Sequence, residues 1–261
     1  MRNVALFVPC YVDQLRPAVG LAALELLEER GFAVAVPGDA ACCGQPFLTA
    51  GAARDAARLA ERFVRVFARY DAVVAPSGSC VATLRRHLAH LVPSDEARSL
   101  GERTFELCEF LFAQADSASG TKPPRSFPHR VALHASCHAL RELRLGTPSE
   151  TREPPRIDPA RELLGSVAGI ELVPLARADE CCGFGGVFAV EEEAVSCRMA
   201  LDRLADQRAA RAEVVTSTDI SCLLQLEGVA KRRGIPIRAF HVAEILAGRA
   251  SGAGRASGAA S

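Results

Sequence analysis

Short apolar runs alternate with amphipathic segments along most of the chain. Asn3 to Val8 is mostly apolar and is bounded by Pro9, which predicts a buried strand that ends near Cys10. The segment from Pro17 to Arg30 has apolar residues at helical spacing and predicts an amphipathic helix. The same reasoning predicts strands over 32–36, 71–75, 130–134, 170–174, 213–216 and 235–240, helices over 52–70, 99–115, 160–167, 191–210 and 242–247, and further helices opening at the turns 76–80 and 218–222.

The order of predicted elements restarts near the middle of the chain. Residues 117–129 are rich in Ser, Gly and Pro, a composition typical of a linker. We therefore expect one unit over 1–116, a second over 130–248, and a disordered tail over 249–261, where Gly, Ala and Ser dominate. Strand–helix alternation predicts parallel sheets covered by helices. The expected fold is α/β, with two tandem Rossmann-like units related by a pseudo-twofold axis.

Overlaying the two units divides the ten cysteines into two equivalent groups of four and two cysteines without a counterpart. Each unit contains one pair of adjacent cysteines followed by glycine, with a single cysteine after the first strand and another after the third. The first quartet is Cys10, Cys42, Cys43 and Cys80, and the second quartet is Cys137, Cys181, Cys182 and Cys222. Cys108 and Cys197 have no counterpart, and we interpret both as packing residues because free cysteine is among the most buried residue types.

Composition and charge exclude several classes of partner. Lys plus Arg and Asp plus Glu both number 31, so the chain has no net positive charge to attract a phosphate backbone, and it contains no Trp for base stacking. We therefore expect no nucleic-acid partner. No apolar run reaches the roughly 18 residues of a transmembrane segment, and Val4 to Val8 is too short for a secretory signal. These observations favour a cytoplasmic protein, in which ten cysteines indicate metal or redox chemistry rather than disulfides.

Four thiolates at the carboxyl ends of parallel strands suit an iron–sulfur cluster. Such strand ends converge on one crevice, and both [4Fe–4S] and [2Fe–2S] clusters take four cysteine ligands. Zinc also binds four thiolates, although its usual Cys-x₂₋₄-Cys spacing is missing here. A thiol–disulfide pair needs only the two adjacent cysteines of each unit and leaves the single cysteines without a role. The cluster is the leading hypothesis, and the other two stay open.

Other residues near the cysteines are candidates for tuning the site. Gly44 and Gly183 follow the adjacent cysteines and allow backbone amides to approach sulfur closely. His138 follows Cys137, and we expect it to hydrogen-bond to sulfur rather than to be a ligand. The chain has no Gly-Lys-Ser/Thr phosphate loop and no Gly-x-Gly-x-x-Gly fingerprint after its first strand. We therefore expect no bound nucleotide or flavin.

Paired Cys-Cys-Gly strings with these companion cysteines resemble the cysteine-rich CCG domain of heterodisulfide reductase B subunits and glycolate oxidase iron–sulfur subunits. Several longer strings are similar to those of the lactate utilization protein A family. They are Leu6-Phe7-Val8-Pro9-Cys10, Cys42-Cys43-Gly44-Gln45-Pro46, Pro76-Ser77-Gly78-Ser79-Cys80, Ser136-Cys137-His138-Ala139-Leu140-Arg141-Glu142-Leu143 and Cys181-Cys182-Gly183-Phe184-Gly185-Gly186. The resemblance covers residues 1–248.

The resemblance implies an iron–sulfur electron-transfer subunit of a complex that oxidises L-lactate to pyruvate. It implies one or two clusters per chain, [4Fe–4S] in type, and partners that include other lactate utilization subunits, one of them a ferredoxin-like iron–sulfur protein. Two departures restrict the comparison. The fifth cysteine of heterodisulfide reductase B subunits is replaced by Thr83 and Gln225, and the Cys-x₂-Cys-x₂-Cys-x₃-Cys-Pro module of the glycolate oxidase subunits is missing. These departures disfavour disulfide reduction, and the alternatives remain a thiol–disulfide oxidoreductase or a zinc-stabilised scaffold.

Overall fold

Two four-stranded parallel sheets form the framework of the protein. The computed structural model describes residues 3–39, 42–114 and 125–250. The first sheet has the strand order β2-β1-β3-β4, and the second has the equivalent order β6-β5-β7-β8. All neighbouring strands within each sheet are parallel. The α/β fold predicted from strand–helix alternation is therefore confirmed.

The strands and helices have the following bounds. The strands are β1 Asn3–Leu6, β2 Ala33–Ala35, β3 Ala72–Ala75, β4 Thr104–Glu106, β5 Arg130–Leu133, β6 Glu171–Leu172, β7 Val214–Ser217 and β8 Arg238–His241. The helices are α1 Cys10–Leu15, α2 Pro17–Glu29, α3 Gln45–Thr49, α4 Ala53–Phe67, α5 Gly78–Leu91, α6 Asp95–Glu102, α7 Leu107–Ala113, α8 Pro159–Gly165, α9 Phe188–Glu191, α10 Glu193–Ala209, α11 Ile220–Arg232 and α12 Val242–Leu246. A single π-helical turn spans His138–Glu142.

The single helix predicted over 99–115 is wrong. Helix α6 ends at Glu102, strand β4 pairs with β3, and α7 then begins at Leu107. Glu106 caps α7 by accepting hydrogen bonds from the backbone amides of Cys108 and Glu109, which fixes the start of that helix. The sequence analysis also missed three short elements next to the cysteines, namely α1, α3 and the π-helical turn. Elements of four to six residues lack the length to show a helical period.

The apolar core lies on both faces of the first sheet. Side chains alternate across the sheet, so Val4 and Leu6 face one cluster while Ala5 and Phe7 face the other. The first of these clusters continues into the second half of the chain, where it includes Val131. The two halves therefore share this first cluster, called the shared core below, whereas the buried residues of the second cluster all come from the first half.

Equivalent contacts join the two halves in pairs. Helix α7 packs against α8, and its counterpart α12 packs against α2. Close to the cysteines, the Tyr11 and Phe184 rings meet edge to face at 5.8 Å, and Gln45 Nε2 lies 3.0 Å from His138 Nε2. Tyr11 occupies the position of His138 in the other half, and Gln45 occupies the position of Phe184. The contact between Tyr11 and Phe184 is therefore equivalent to the contact between His138 and Gln45. Reciprocal contacts of this kind are what a pseudo-twofold arrangement requires.

Asp219 breaks this pairwise symmetry. It is the residue before α11, yet its carboxylate does not cap that helix and instead crosses to the other half. Asp219 accepts hydrogen bonds from Ser77 Oγ at 3.0 Å, from the Ser79 amide at 2.9 Å and from Ser79 Oγ at 2.6 Å. Ser136 Oγ donates a fourth hydrogen bond to it. The side chain is buried, so one carboxylate satisfies four donors from two turns.

The predicted domain limits fall partly on residues outside the described ranges. Most of the proposed linker (117–124) and most of the proposed tail (251–261) belong to that part of the chain, so the domain limits stay a prediction. Within the described part, Phe127 is buried in the shared core, and Arg125 donates to Glu29 across the two halves. None of the helices in the described ranges contains the 18-residue apolar stretch of a transmembrane helix.

Replacing Asp219 should weaken the attachment of the two halves. We expect Asp219→Ala to lower the free energy of unfolding by about 3 kcal/mol, because the buried donors of Ser77, Ser79 and Ser136 lose their acceptor. Asp55→Ala is the matched control, since Asp55 forms only an exposed ion pair with Arg58 at 3.5 Å and should cost less than about 1 kcal/mol. Urea denaturation followed by circular dichroism measures both values. Equal losses in the two variants would contradict the role given to Asp219.

Candidate metal centre

Both predicted cysteine quartets lie around one cavity between the two halves. The cavity has a volume of about 210 Å³ and is lined by the carboxyl ends of strands and by the loops and helix starts that follow them. In each sheet the first and third strands are neighbours, so the loops after them flank the point where the strand order reverses. Seven of the eight predicted ligands line the cavity, and they are Cys10, Cys43, Cys80, Cys137, Cys181, Cys182 and Cys222.

The first quartet is a connected set of sulfur atoms. Cys10 and Cys43 both hydrogen-bond to the sulfur of Cys42, the eighth predicted ligand, and Cys43 also contacts Cys80. The hydrogen bonds from Cys10 and Cys43, together with one from the Gly44 amide at 3.4 Å, lower the pKa of the Cys42 thiol to about 3. The pKa values of Cys10 and Cys43 are raised, because each donates to Cys42 and each is buried at least in part.

The second quartet repeats this arrangement. Cys137 and Cys182 hydrogen-bond to Cys181, and with the Gly183 amide at 3.4 Å they lower the pKa of the Cys181 thiol to about 2. Cys182 also contacts Cys222. The pKa values of Cys137 and Cys182 are raised, because each hydrogen-bonds to Cys181 and burial disfavours a second thiolate. Each quartet therefore holds a central thiolate between two thiols when no metal is bound.

The glycine after each cysteine pair has a positive φ, which lets its amide turn back toward sulfur. The φ angle is 87° at Gly44 and 83° at Gly183, a region that other residues rarely adopt. At Gly183 there is also no room for a side chain, because a Cβ atom would lie 2.5 Å from the carbonyl oxygen of Ser196. The structure thus places both glycines where the sequence analysis expected them, each with its amide directed at a cysteine sulfur.

The single cysteines lie at the starts of helices. Cys10 is the first residue of α1, and Cys80 and Cys222 lie in the first turns of α5 and α11. Helices α5 and α11 begin at Gly78 and Ile220, within the turns 76–80 and 218–222 at which the sequence predicts them to open. Free backbone amides and the positive end of the helix dipole stabilise thiolates at such positions.

His138 lies beside the second quartet, as expected. Its Nδ1 is 3.5 Å from Cys137 Sγ, and its Nε2 is 3.0 Å from the side-chain nitrogen of Gln45. Because an amide nitrogen only donates, His138 Nε2 accepts that hydrogen bond, and the ring proton is on Nδ1, facing the sulfur. His138 is therefore positioned as a donor to sulfur.

His134 is a site residue that the sequence analysis did not identify as one. One of its ring nitrogens and the sulfurs of Cys182 and Cys222 all lie within 4.8 Å of one another. Its Nδ1 accepts a hydrogen bond from Nε of the buried Arg203 at 3.1 Å. Burial and the adjacent Arg203 charge lower the pKa of His134 to about 3. The only signal in the sequence was its position three residues before Cys137, on a strand predicted to be buried.

The donor set fits a metal centre that takes four thiolates. In each quartet the cysteines neighbour one another in a row, in the orders Cys10–Cys42–Cys43–Cys80 and Cys137–Cys181–Cys182–Cys222, and a backbone amide is directed at the sulfur of Cys42 and of Cys181. All ten cysteines are free thiols. Cys108 and Cys197 do not belong to the quartets: Cys108 lies on α7 and is buried in the shared core, and Cys197 packs against that core from α10. Tetrathiolate sets of this kind suit an iron–sulfur cluster, and they also suit zinc.

Comparison with known families identifies both halves as the same kind of domain. The cysteine-rich domain family, abbreviated CCG, matches residues 4–85 and again residues 131–227. These two ranges contain all eight cysteines of the quartets and exclude Cys108. The repeat found by overlaying the cysteines is therefore confirmed as a repeat of one domain family.

Relatives of known name match along nearly the whole chain. The chain is 38% identical over 253 residues to lactate utilization protein A of Exiguobacterium sp., covering 94% of this chain and 97% of the relative. It is 38% identical over 251 residues to lactate utilization protein A of Geobacillus kaustophilus, covering 95% and 99%. A third, from Bacillus pumilus, is 34% identical over 251 residues, covering 95% and 100%.

The lowered pKa values predict that Cys42 and Cys181 react first with alkylating agents in the metal-free protein. A thiol with a pKa near 3 or below stays ionised at pH 5, so its rate with iodoacetamide should hold steady from pH 7 to pH 5. The rate of a free cysteine, whose pKa is about 8.5, should fall roughly a hundredfold over the same range. Peptide mass spectrometry after timed labelling measures each site. Labelling of Cys10 and Cys137 as fast as their neighbours at pH 5 would contradict the arrangement.

Proposed function

The chain belongs to the lactate utilization protein A family, and from that membership we propose that it is an iron–sulfur electron-transfer subunit of a complex that oxidises L-lactate to pyruvate. Oxidation of lactate to pyruvate releases two electrons and two protons. Two one-electron centres in one chain can together take up the two electrons. The two cysteine quartets around one cavity are the observation that carries this proposal.

Each quartet would hold one cluster, [4Fe–4S] in type, through its four sulfurs. When bound, such a cluster supplies reversible one-electron storage. The ligands proposed are Cys10, Cys42, Cys43 and Cys80 in the first half and Cys137, Cys181, Cys182 and Cys222 in the second. Around them, the amides of Gly44 and Gly183 and the ring of His138 donate hydrogen bonds to sulfur, and the burial of one side of each quartet keeps water away from it.

The arrangement supports electron transfer better than the two alternatives. A structural zinc site is closed and needs no second site facing it, whereas both quartets here line a shared cavity. Thiol–disulfide exchange needs two thiols, whereas each half places four cysteines next to one another in a row. We therefore retain the iron–sulfur proposal and treat zinc binding and thiol exchange as outcomes of the test below.

The electrons must pass between this chain and a partner. The chain lacks the ferredoxin-like Cys-x₂-Cys-x₂-Cys-x₃-Cys-Pro motif, so further relay centres must come from other subunits. We propose that these subunits are other lactate utilization proteins, one of them a ferredoxin-like iron–sulfur protein. In each quartet two sulfurs are partly exposed, Cys10 and Cys42 in the first and Cys137 and Cys181 in the second, which gives a partner short access to the centres.

Iron and sulfide analysis of the anaerobically reconstituted chain tests the proposal. We expect a brown protein with about eight iron atoms per chain if each quartet holds a four-iron cluster, and loss of half of that iron in Cys181→Ser. Cys197→Ser is the matched control, because Cys197 also lies in the second half but outside its quartet, and this variant should retain the full iron content. A colourless protein with stoichiometric zinc and no sulfide would refute the proposal.

A second measurement separates electron transfer from thiol exchange. Under the iron–sulfur proposal, Cys10→Ser and Cys137→Ser each remove a cluster ligand and should lower the iron content of the corresponding half. Under thiol exchange through the adjacent cysteines, these two variants should leave activity intact. Redox activity that survives both substitutions in iron-free protein would support thiol exchange instead.

A further inference from the structure

The two halves have side chains of different polarity in the space next to the cysteines. Strands β1 and β5 have the same register against β3 and β7, so Phe7 and His134, which directly follow these strands, are equivalent positions. The covering helices α4 and α10 bury residues at the same spacing, which makes Phe63 the counterpart of Arg203. An aromatic pair in the first half is thus replaced by a histidine and an arginine in the second.

The first half is apolar at this place. The Phe7 ring meets Phe63 edge to face at 5.3 Å and Phe67 at 5.7 Å. Cys43 and Cys80 belong to the same apolar cluster. Phenylalanine side chains offer no hydrogen-bond donor of the N–H kind, so this cluster gives the sulfurs of the first quartet an apolar neighbour.

The second half has a buried polar cluster at this place. Arg203 is fully buried, and its Nε donates to His134 Nδ1 at 3.1 Å. The rest of its guanidinium donates to the carbonyl of Arg177, to the carbonyl of Ala178 at 3.1 Å and to the carboxylate of Asp206 at 3.2 Å. Arg203 therefore anchors both the ring of His134 and the loop that leads into Cys181.

The fold does not require this polarity. A buried charge is costly unless it is well paired, and a buried ion pair is often no more stable than apolar residues of similar volume. The first half shows that aromatic side chains fill the equivalent space. Gln207 adds a further cost in stability. It occupies the position equivalent to Phe67, and its buried side-chain amide has no hydrogen-bond partner among the described residues. A polar cluster retained at this cost points to a role at the adjacent cysteines.

The hydrogen bond from Arg203 fixes the tautomer of His134. A guanidinium only donates, so His134 Nδ1 must be the nitrogen with the free lone pair. The ring is then neutral and carries its proton on Nε2. With Nδ1 occupied and Nε2 protonated, His134 has no free lone pair for a metal. Its ring lies next to the sulfurs of Cys182 and Cys222, since one of its nitrogens is within 4.8 Å of both, so its N–H is the group that it can offer to them.

We propose that His134, positioned by Arg203, donates a hydrogen bond to the sulfur ligands of the second quartet and makes the second half the site of higher reduction potential. This inference rests on the proposed function, because it concerns the potentials of the two proposed clusters. Hydrogen bonds to sulfur stabilise the more negative, reduced state and so raise a cluster's potential. Asp206 balances the charge of Arg203, so the N–H donor is the element that distinguishes the halves. Electrons that enter at the first quartet then move toward the second.

A potentiometric titration monitored by electron paramagnetic resonance tests the proposal on anaerobically reconstituted protein. The wild-type chain should show two reduction steps, and Cys222→Ala should remove the one at higher potential. His134→Phe copies the residue of the first half and should lower the higher potential by at least a tenfold change in the reduction equilibrium, about 59 mV for a one-electron couple. His134→Gln keeps an N–H donor and should restore most of the shift.

Phe7→Leu is the matched control in the first half. It changes the packing beside Cys43 and Cys80 without adding or removing a donor, so the higher potential should stay unchanged in this variant. A merely structural role for His134 would lower the iron content in His134→Phe and leave the potential of the remaining clusters where it was. Iron analysis of every sample distinguishes these two results.

The failures of the two proposals can be told apart. Wild-type protein without iron would refute the proposed function. Four results would overturn the present inference and leave the proposed function unaffected. They are two clusters of equal reduction potential, a higher-potential step assigned to the first quartet, a chain with a cluster in the first quartet alone, and no shift of the reduction potential in His134→Phe. Nitrogen-15 NMR of metal-free protein checks the tautomer independently: we expect the proton on Nε2 in the wild type, and a proton on Nδ1 would overturn the inference.

Discussion

A carboxylate that accepts four hydrogen bonds inside the protein holds the two cysteine-bearing ends of the molecule together. Asp219 belongs to the turn that carries Cys222, and its partners Ser77, Ser79 and Ser136 lie in the turns that carry Cys80 and Cys137. This buried side chain therefore acts together with the shared core to set the relative position of the two quartets. Because its donors would otherwise be buried without an acceptor, these hydrogen bonds favour one arrangement of the turns that carry Cys80, Cys137 and Cys222.

Duplication of one domain explains why the two halves have the same architecture, and later sequence divergence explains why the residues behind their cysteines differ. The two sheets, the glycine turns and the helix starts are the same in both halves because they are what brings four sulfurs together. The residues behind the sulfurs differ, with Phe7 and Phe63 on one side and His134 and Arg203 on the other. A symmetric pair of sites would have no preferred direction for an electron. Under the proposed function, differences confined to the surroundings of the cysteines would create a direction without changing the cysteines themselves.

The sequence predicted those features that depend on local pattern and on the repeat. Strand ends, the glycine turns and the sorting of the cysteines all follow from positions that recur in the two halves. Features that depend on contacts between distant residues were missed. Arg203 is an ordinary helix residue in the sequence, and only folding brings it to His134; Asp219 looks like a helix cap and instead bonds to the other half. Strand β4 was missed because its three residues join two helices without a turn signal.

The partial exposure of four of the sulfurs determines which molecules can reach the two quartets. Cys10, Cys42, Cys137 and Cys181 are partly exposed, while Cys43, Cys80, Cys182 and Cys222 are buried. An edge of each quartet therefore faces outward, and under the proposed function this edge is where a docked partner would exchange electrons with the chain. The same edge is open to dioxygen and peroxide, which attack accessible thiolates. Under the proposed function, fast electron exchange and sensitivity to oxidants would both follow from this one geometry, and a bound partner would protect the cysteines by covering them.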